Sequence, residues 1–369
     1  MQVNEKRLLD RLLEMIAIDS VSYEEKPMSD FLETYFKNKG LEVYRDQAGE
    51  KFGGNGSNIL VHIPGTMEGE AICFNAHQDT VEPGRGIKPV VKDGYLVSSG
   101  DTILAADDKA GIATIMEAYD YVKENNIPHR EMYFLFTICE ELNMMGIKNF
   151  DFSKLPTKNI YVIDSAGSPG VMTMKNPAKV GIVATFTGKK AHAGIEPEKG
   201  VNACCAMAKA IAGVHFGRID PETTSNVGRV EGGGQTNVVS DSAFFTAEIR
   251  SHSAETLEAE IEKVRKSCEE AAAAFGAQVD VQVSYDYPTK KLDPESFVYK
   301  QCYAAYVKEG ITPKQIIGGG GGDSNIMAGH GYMACGLACG MTDVHSSKEK
   351  LNLAEFAQTV RIVVTLMTE

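Results

Sequence analysis

The sequence predicts an α/β protein with a mostly parallel sheet, interrupted by an inserted ferredoxin-like α+β domain. Three observations predict this. Over the first half, short apolar runs bounded by turn residues alternate with amphipathic stretches, as expected when strands buried on both faces are joined by helices. After about Asn176 the apolar runs give way to strict apolar/polar alternation, the pattern of a sheet with one open face. Beyond Asp293 the first pattern returns. A chain of 369 residues exceeds the usual single-domain size of about 100–200 residues. Residues 1–176 and 290–369 are therefore expected to form one discontinuous domain, with residues 177–289 as the insertion.

In the first half the expected strands are Ser57–Ile63, Ala71–Ala76, Met132–Cys139 and Ile160–Ile163. The amphipathic stretches between them are Lys26–Lys39 and Asp108–Asn125. The second opens on Asp108, a good N-cap, and carries apolar residues at Ile112, Ile115, Met116 and Tyr119. In the insertion, a strand Val180–Thr187 is followed by a helix Val201–Val214. Strands Thr224–Val230 and Ser242–Ser251, a long helix Ala254–Phe275 and a strand Gln278–Tyr287 complete it. The order β-α-β-β-α-β is that of a ferredoxin-like unit. The remainder reads as a helix Pro294–Lys308, the glycine run Gly318–Gly322 and a closing helix Asn352–Met367.

Composition excludes several function classes. Hydrophobic residues at 43% and charged residues at 24% are ordinary for a globular chain. The net charge of −13 repels nucleic acid and anionic lipid, so neither is expected as a partner. The N-terminal stretch places Leu8, Leu9, Leu12, Leu13 and Ile16 at helical spacing with charges between, unlike the apolar core of a secretory leader. No run of about 18 apolar residues appears. The eight cysteines are scattered, several inside apolar runs, and do not suggest a disulfide framework. Cys335 and Cys339 lack the second pair that a structural zinc site needs. A cytoplasmic location is expected.

Chemistry concentrates where three expected strands end. Ala71–Ala76 runs into His77-Gln78-Asp79, whose first and third side chains share a face in extended chain. An Asp so placed can fix the tautomer of a metal-bound His. Met132–Cys139 ends in Glu140-Glu141, adjacent carboxylates that repel unless a cation or proton lies between them. Ile160–Ile163 ends in Asp164. With Asp108 serving as a cap, Asp107 has no structural task, and Asp343-Val344-His345 repeats the acid/His alternation. Each feature alone is a polar turn. In open α/β sheets, however, ligands bind outside the carboxyl ends of strands, and these are zinc-ligand residue types. Two His and three carboxylates suffice for two zinc ions sharing one carboxylate, with a spare carboxylate beside them as a general base.

At these residues the chain resembles the co-catalytic zinc peptidases that include peptidase T, carboxypeptidase G and aminoacylase. The resemblance rests on Asn75-Ala-His77-Gln-Asp79-Thr-Val, Ala105-Ala-Asp107-Asp-Lys-Ala-Gly, Glu140-Glu141, Val162-Ile-Asp164 and His345, in that order. It extends over nearly the whole chain. It implies a zinc-peptidase domain carrying an inserted lid and dimerisation domain. It also implies two zinc ions per chain, one on His77, Asp107 and Asp164 and the other on Asp107, Glu141 and His345. Glu140 would then be the base toward a water bridging the metals, and Asp79 would orient His77. The same donor set also suits manganese or cobalt.

In the insertion, Gly188-Lys-Lys-Ala-His192-Ala-Gly194 matches a segment whose His reaches the substrate carbonyl in such relatives, often from a partner subunit. Asn237 and Arg250 match positions that bind substrate backbone or carboxylate, for which an Arg fork is well suited. The glycine run lacks the Gly-Lys-Ser/Thr of a nucleotide loop. The resemblance puts it, with Gly320 and Gly321, at the mouth of the site, where backbone can approach substrate. The insertion also offers sheet edges and helices for self-association into a homodimer.

Aspartate at 164 looks like the aminopeptidase and dipeptidase side of the family, and the whole pattern is most similar to peptidase T. The expected activity is removal of an N-terminal residue from short peptides such as tripeptides. The alternative is a carboxypeptidase or an N-acyl-amino-acid amidohydrolase using the same two zinc ions. A binding protein on the same fold should lack the base or a ligand, and none is missing here. Gln78 departs from the apolar residue common in its slot, which leaves its packing partner open.

Overall fold

A computed structural model describes residues 1–369 and resolves two compact units. One comprises Met1–Met174, Lys291–Gly318 and Gly322–Glu369; the other comprises Lys175–Lys290 with Gly319–Gly321. Each has its own hydrophobic core. The chain adopts the expected α/β class with a ferredoxin-like insert.

The first unit is organised by a six-stranded sheet. Its strands lie in the spatial order Glu42–Arg45, Ile59–Ile63, Met132–Thr137, Ile72–His77, Asn159–Ser165 and Met333–Ala338. The last four pair in parallel, and the first two run antiparallel at one edge. Every residue of Ile72–His77 and Met132–Thr137 is buried, which is why these strands read as unbroken apolar runs. Aromatic rings fill the core around them: Phe74 stacks on Tyr161 at 5.4 Å and Phe36 on Phe136 at 5.6 Å. Burying one such ring contributes roughly 1.5–3 kcal/mol over leaving it in water.

The helix Ala106–Glu124 crosses this core and is buried along most of its length, so only a weak amphipathic signal marks it. It was expected from Asp108. Asp107 and Asp108 lack helical backbone angles, and Asp108 Oδ1 accepts the Gly111 N–H at 3.2 Å, so Asp108 is the working cap. The surface of this helix carries an ion network. Glu117, fully buried, pairs with Arg7 at 2.7 Å and Arg11 at 3.2 Å, while Asp120 takes Arg11 at 2.7 Å and Lys39 at 2.6 Å. The network ties the N-terminal helix Glu5–Ile16, capped by Asn4, to the core. Where the chain leaves this unit and where it returns, Leu292 N–H donates to Met174 O at 2.8 Å.

The second unit is a five-stranded antiparallel sheet in the order Gly217–Asp220, Thr223–Gly232, Ser242–Ser251, Ala178–Thr187 and Gln278–Tyr287. Helices Ala203–Ala212 and Ala254–Phe275 cover one face. Four of the strands have the ferredoxin-like arrangement, and Gly217–Asp220 adds an edge too short to show a period in the sequence. Burial alternates without a break from Ala243 to Ser251, as the sequence pattern required. The long helix begins where Ser253 accepts the Thr256 N–H and stops where Gly276 turns left-handed at φ +69°, which confines it to the expected Ala254–Phe275. No helix in the chain is long and apolar enough to cross a membrane.

Candidate metal centre

Parallel pairing places three strand ends at one edge of the sheet. His77 lies opposite Thr137 and Asn75 opposite Val162, so His77, the turn beyond Thr137 and Asp164 emerge side by side. The non-helical first turn of Ala106–Glu124 brings in Asp107, and the segment after Met333–Ala338 brings in His345. The five residues expected as ligands converge. His77 Nε2 stands 3.1 Å from Asp107 Oδ1 and 3.7 Å from Asp164 Oδ1. His345 Nε2 stands 3.2 Å from Asp107 Oδ2 and 2.8 Å from Glu141 Oε1. The two oxygens of Asp107 thus face different imidazoles. His77, Asp107 and Asp164 form one group with ligand atoms within 4.8 Å of one another; Asp107, Glu141 and His345 form a second, and His77, Glu140 and Glu141 a third.

The electrostatics match a site built around positive charge. Burial pushes the Asp164 carboxyl up to about 7, against the hydrogen bond from His77. Burial and the Asp164 charge push Glu140 well above the usual carboxylate range. Asp107 is also buried, yet its hydrogen bonds to His345 and His77 hold it below that range. His345 is pushed up to about 10 by Asp107 and Glu141. The acids therefore draw protons onto the imidazoles, and a divalent cation would replace those protons. A buried set of carboxylate and imidazole donors around a shared carboxylate fits a pair of such cations.

Supporting groups fix the donors. His77 Nδ1 lies 2.9 Å from the Asp79 carbonyl oxygen and donates its proton there, so Nε2, which faces Asp107 and Asp164, is the nitrogen a cation would take in place of a proton. Asp79 Oδ1 approaches the same ring nitrogen only to 3.4 Å. Its carboxylate is engaged elsewhere: Oδ1 accepts the Glu140 N–H at 2.9 Å, and Oδ2 accepts the Glu141 N–H at 3.2 Å and the Ser22 hydroxyl at 2.6 Å. Asp108 Oδ2 accepts the His77 N–H at 3.1 Å. Four residues here have left-handed backbone: Ala105 at φ +62°, Cys139 at +47°, Asp343 at +55° and His345 at +61°. Such conformations cost of order 1–3 kcal/mol each and cluster at functional sites.

Gln78 resolves the question its sequence slot raised. It is fully buried, accepts from Ser29 Oγ at 2.8 Å and donates to the carbonyls of Ser57 at 2.9 Å and Phe136 at 2.8 Å. Three buried carboxylates, Glu25, Asp323 and Glu349, lie outside the set of expected site residues. Their partners are backbone and side-chain groups far along the chain, such as Cys139 for Glu25 and Thr137 for Asp323.

The residues expected to bind substrate lie in the second unit. His192 bridges to Val238, and Ala193 N–H donates to Asn237 O at 3.0 Å, so the His192 and Asn237 loops adjoin. Both side chains are exposed. Arg250 pairs with Glu248 at 2.9 Å, and its Nη1 donates to Gly319 O at 3.4 Å, next to Gly320 and Gly321. A Cβ on Gly321 would stand 2.3 Å from the Tyr287 ring, so a larger residue there would have to displace that ring.

Fold and site together define a metal-dependent peptidase. Residues 177–275 match the peptidase dimerisation domain, and residues 58–190 match peptidase family M28. The chain is 40% identical over 367 residues to the uncharacterized protein YqjE of Bacillus subtilis, covering 100% of this chain and 99% of that one. It is similar to the aminopeptidase PepT from Bacillus cereus, with 40% identity, a TM-score of 0.93 and coverage of 99% and 98%. A tripeptidase from Staphylococcus aureus shows 32% identity, a TM-score of 0.95 and coverage of 100% and 99%. The chain belongs to the peptidase T-like family of metallopeptidases.

Proposed function

We propose that this chain is a two-zinc aminopeptidase that removes the N-terminal residue from short peptides, tripeptides foremost. The observation that carries this is the division of Asp107, one oxygen toward His77 and the other toward His345. That division supports a carboxylate shared by two cations. One ion falls to His77, Asp107 and Asp164, and the other to Asp107, Glu141 and His345. Bound there, zinc supplies a lowered water pKa, from 15.7 toward about 7, and polarisation of the scissile carbonyl.

The chain's own residues do the rest. Glu140 sits with His77 and Glu141 and takes the role of general base: it accepts the proton of the attacking water and passes it to the leaving amine. Asp79 fixes the His77 ring through its carbonyl and the Glu140-Glu141 turn through its carboxylate. Substrate backbone and carboxylate recognition is assigned to His192, Asn237, Arg250 and the backbone of Gly320 and Gly321. The adjacency of the His192 and Asn237 loops and the Arg250–Gly319 bond support that assignment. The match of residues 177–275 to a dimerisation domain supports a homodimer. The proposed setting is the cytoplasm.

The decisive test is to strip the protein of metal, reload it with zinc, and offer a tripeptide with a free amine beside its N-acetylated form. Release of the first residue from the free peptide alone is the expected result. Cleavage of the acetylated form alone would overturn the aminopeptidase direction in favour of an amidohydrolase with the same centre.

A further inference from the structure

Asp107 and His345 come from segments that touch neither in sequence nor in one strand, yet their ligand atoms stand 3.2 Å apart. Something must hold the two segments in register. Asp107 follows Leu104 and Ala105, whose buried N–H groups precede a helix and need acceptors. Glu349 provides them. Its Oε2 accepts the Leu104 N–H at 2.7 Å and the Ala105 N–H at 3.0 Å, while Oε1 accepts the Asp107 N–H at 3.0 Å. The Glu349 residue is 1% exposed and lies four residues beyond His345, 242 to 245 positions from the groups it holds.

We propose that Glu349 is a positioning residue for the metal centre: a buried carboxylate that pins the Asp107 segment to the His345 segment and so sets the spacing of the shared ligands. The inference rests on the two-metal reading above. A carboxylate suits the task because both oxygens accept, and charge-assisted bonds to backbone N–H groups are roughly twice as strong as neutral ones. Ala105, at φ +62°, is the middle of the three residues and would not hold that conformation unaided. The ion on Asp107, Glu141 and His345 depends on this tie more than the other does. Two of its ligands, Glu141 and His345, lie on connecting segments and Asp107 on the non-helical first turn of Ala106–Glu124, whereas His77 and Asp164 lie on strands of the sheet.

The test is Glu349→Gln, the same shape with one acceptor oxygen in place of two, and Glu349→Asp, the same charge on a shorter arm. Metal per chain is measured by mass spectrometry, and zinc affinity by competition with a chromophoric chelator. Melting of the metal-free proteins serves as the structural readout. Wild type should hold two ions. Glu349→Gln should bind the second about 10–100-fold more weakly, the usual loss when a group that orients a ligand is changed. The first ion, which shares Asp107 but takes its other two ligands from the sheet, should be weakened less, the metal-free melting should stay as in wild type, and Glu349→Asp should recover part of the loss. Wild-type affinity for both ions in Glu349→Gln would overturn the inference while leaving the two-metal reading intact. Equal loss of both ions with a collapsed metal-free melting transition would also overturn it, reassigning Glu349 to the fold alone. A wild-type chain that binds no metal would sink the two-metal reading itself, and the inference with it.

Discussion

Asp79 Oδ1 accepts the backbone N–H of Glu140 at 2.9 Å, so the residue two places beyond a proposed ligand at one strand end holds the proposed base in the turn after the neighbouring strand. Its Oδ2 takes Glu141 N–H as well. Asp79→Asn would turn an N–H donor toward one of these N–H groups. The expected outcome is a fall of about 10–100-fold in kcat or in zinc affinity. Steady-state kinetics on samples matched for metal content checks it, and unchanged values would remove Asp79 from the site's support.

Glu140→Ala removes the group assigned to proton transfer without removing a ligand. Turnover should drop about 10²–10⁴-fold with two ions still bound. Metal analysis beside kcat separates this from loss of metal; a variant that cleaves at the wild-type rate would disprove the assignment.

Asp107 serves both proposed ion positions, so Asp107→Ala should do more than subtract one ligand. Metal content should fall from two ions to one or none, and activity should not return on adding zinc. The wild-type protein, stripped by a chelator, should regain activity with zinc, manganese or cobalt. A variant that keeps both ions would refute the shared-carboxylate geometry.

The ion network on the buried helix predicts an acid limit to stability. Burial pushes Asp120 up, but the hydrogen bonds from Lys39 and Tyr35 and the charge of Arg11 more than offset this and hold it below the usual carboxylate range. A carboxylate with a depressed folded value contributes stability that is full above its unfolded pKa of about 3.9 and is lost as pH falls through the folded value. Melting temperature should therefore drop below about pH 4. Asp120→Asn should melt lower at pH 7 and show a shallower acid decline. Parallel pH profiles of the two proteins would contradict this.

Glu117 is the buried partner of two arginines. Glu117→Ala leaves those charges without their partner and should cost about 3–5 kcal/mol by denaturant unfolding. A loss below about 1 kcal/mol would class the network with exposed pairs.

Much of this architecture is legible in the sequence because it rests on local periodicity. Strand Ser242–Ser251 and helix Ala254–Phe275 can be delimited to the residue, since alternation, a Ser cap and a terminal glycine all act within a few positions. Strands such as Pro89–Lys92, Tyr95–Ser98 and Lys350–Asn352 are three or four residues long, too short for any period; the first two form a hairpin with each other, and the third exists through pairing with Tyr95–Val97 far back in the chain. The proposed ligands stand out because strand ends concentrate them. Their supports do not: Glu349 sits in a polar run with nothing to distinguish it from Lys348 or Lys350, and its function depends on contacts more than 240 positions away. The carboxylate bonds of Asp79 are hidden for the same reason; side-chain alternation points to its carboxylate as the His77 partner, whereas the backbone carbonyl makes the shorter contact.

The single hydrogen bond from Leu292 N–H to Met174 O has an architectural consequence. It stitches the outgoing and incoming strands together at the very point of departure, so the polypeptide between them forms a closed excursion. The two ends of the inserted stretch thus stand within the span of a short turn, however long the polypeptide between them.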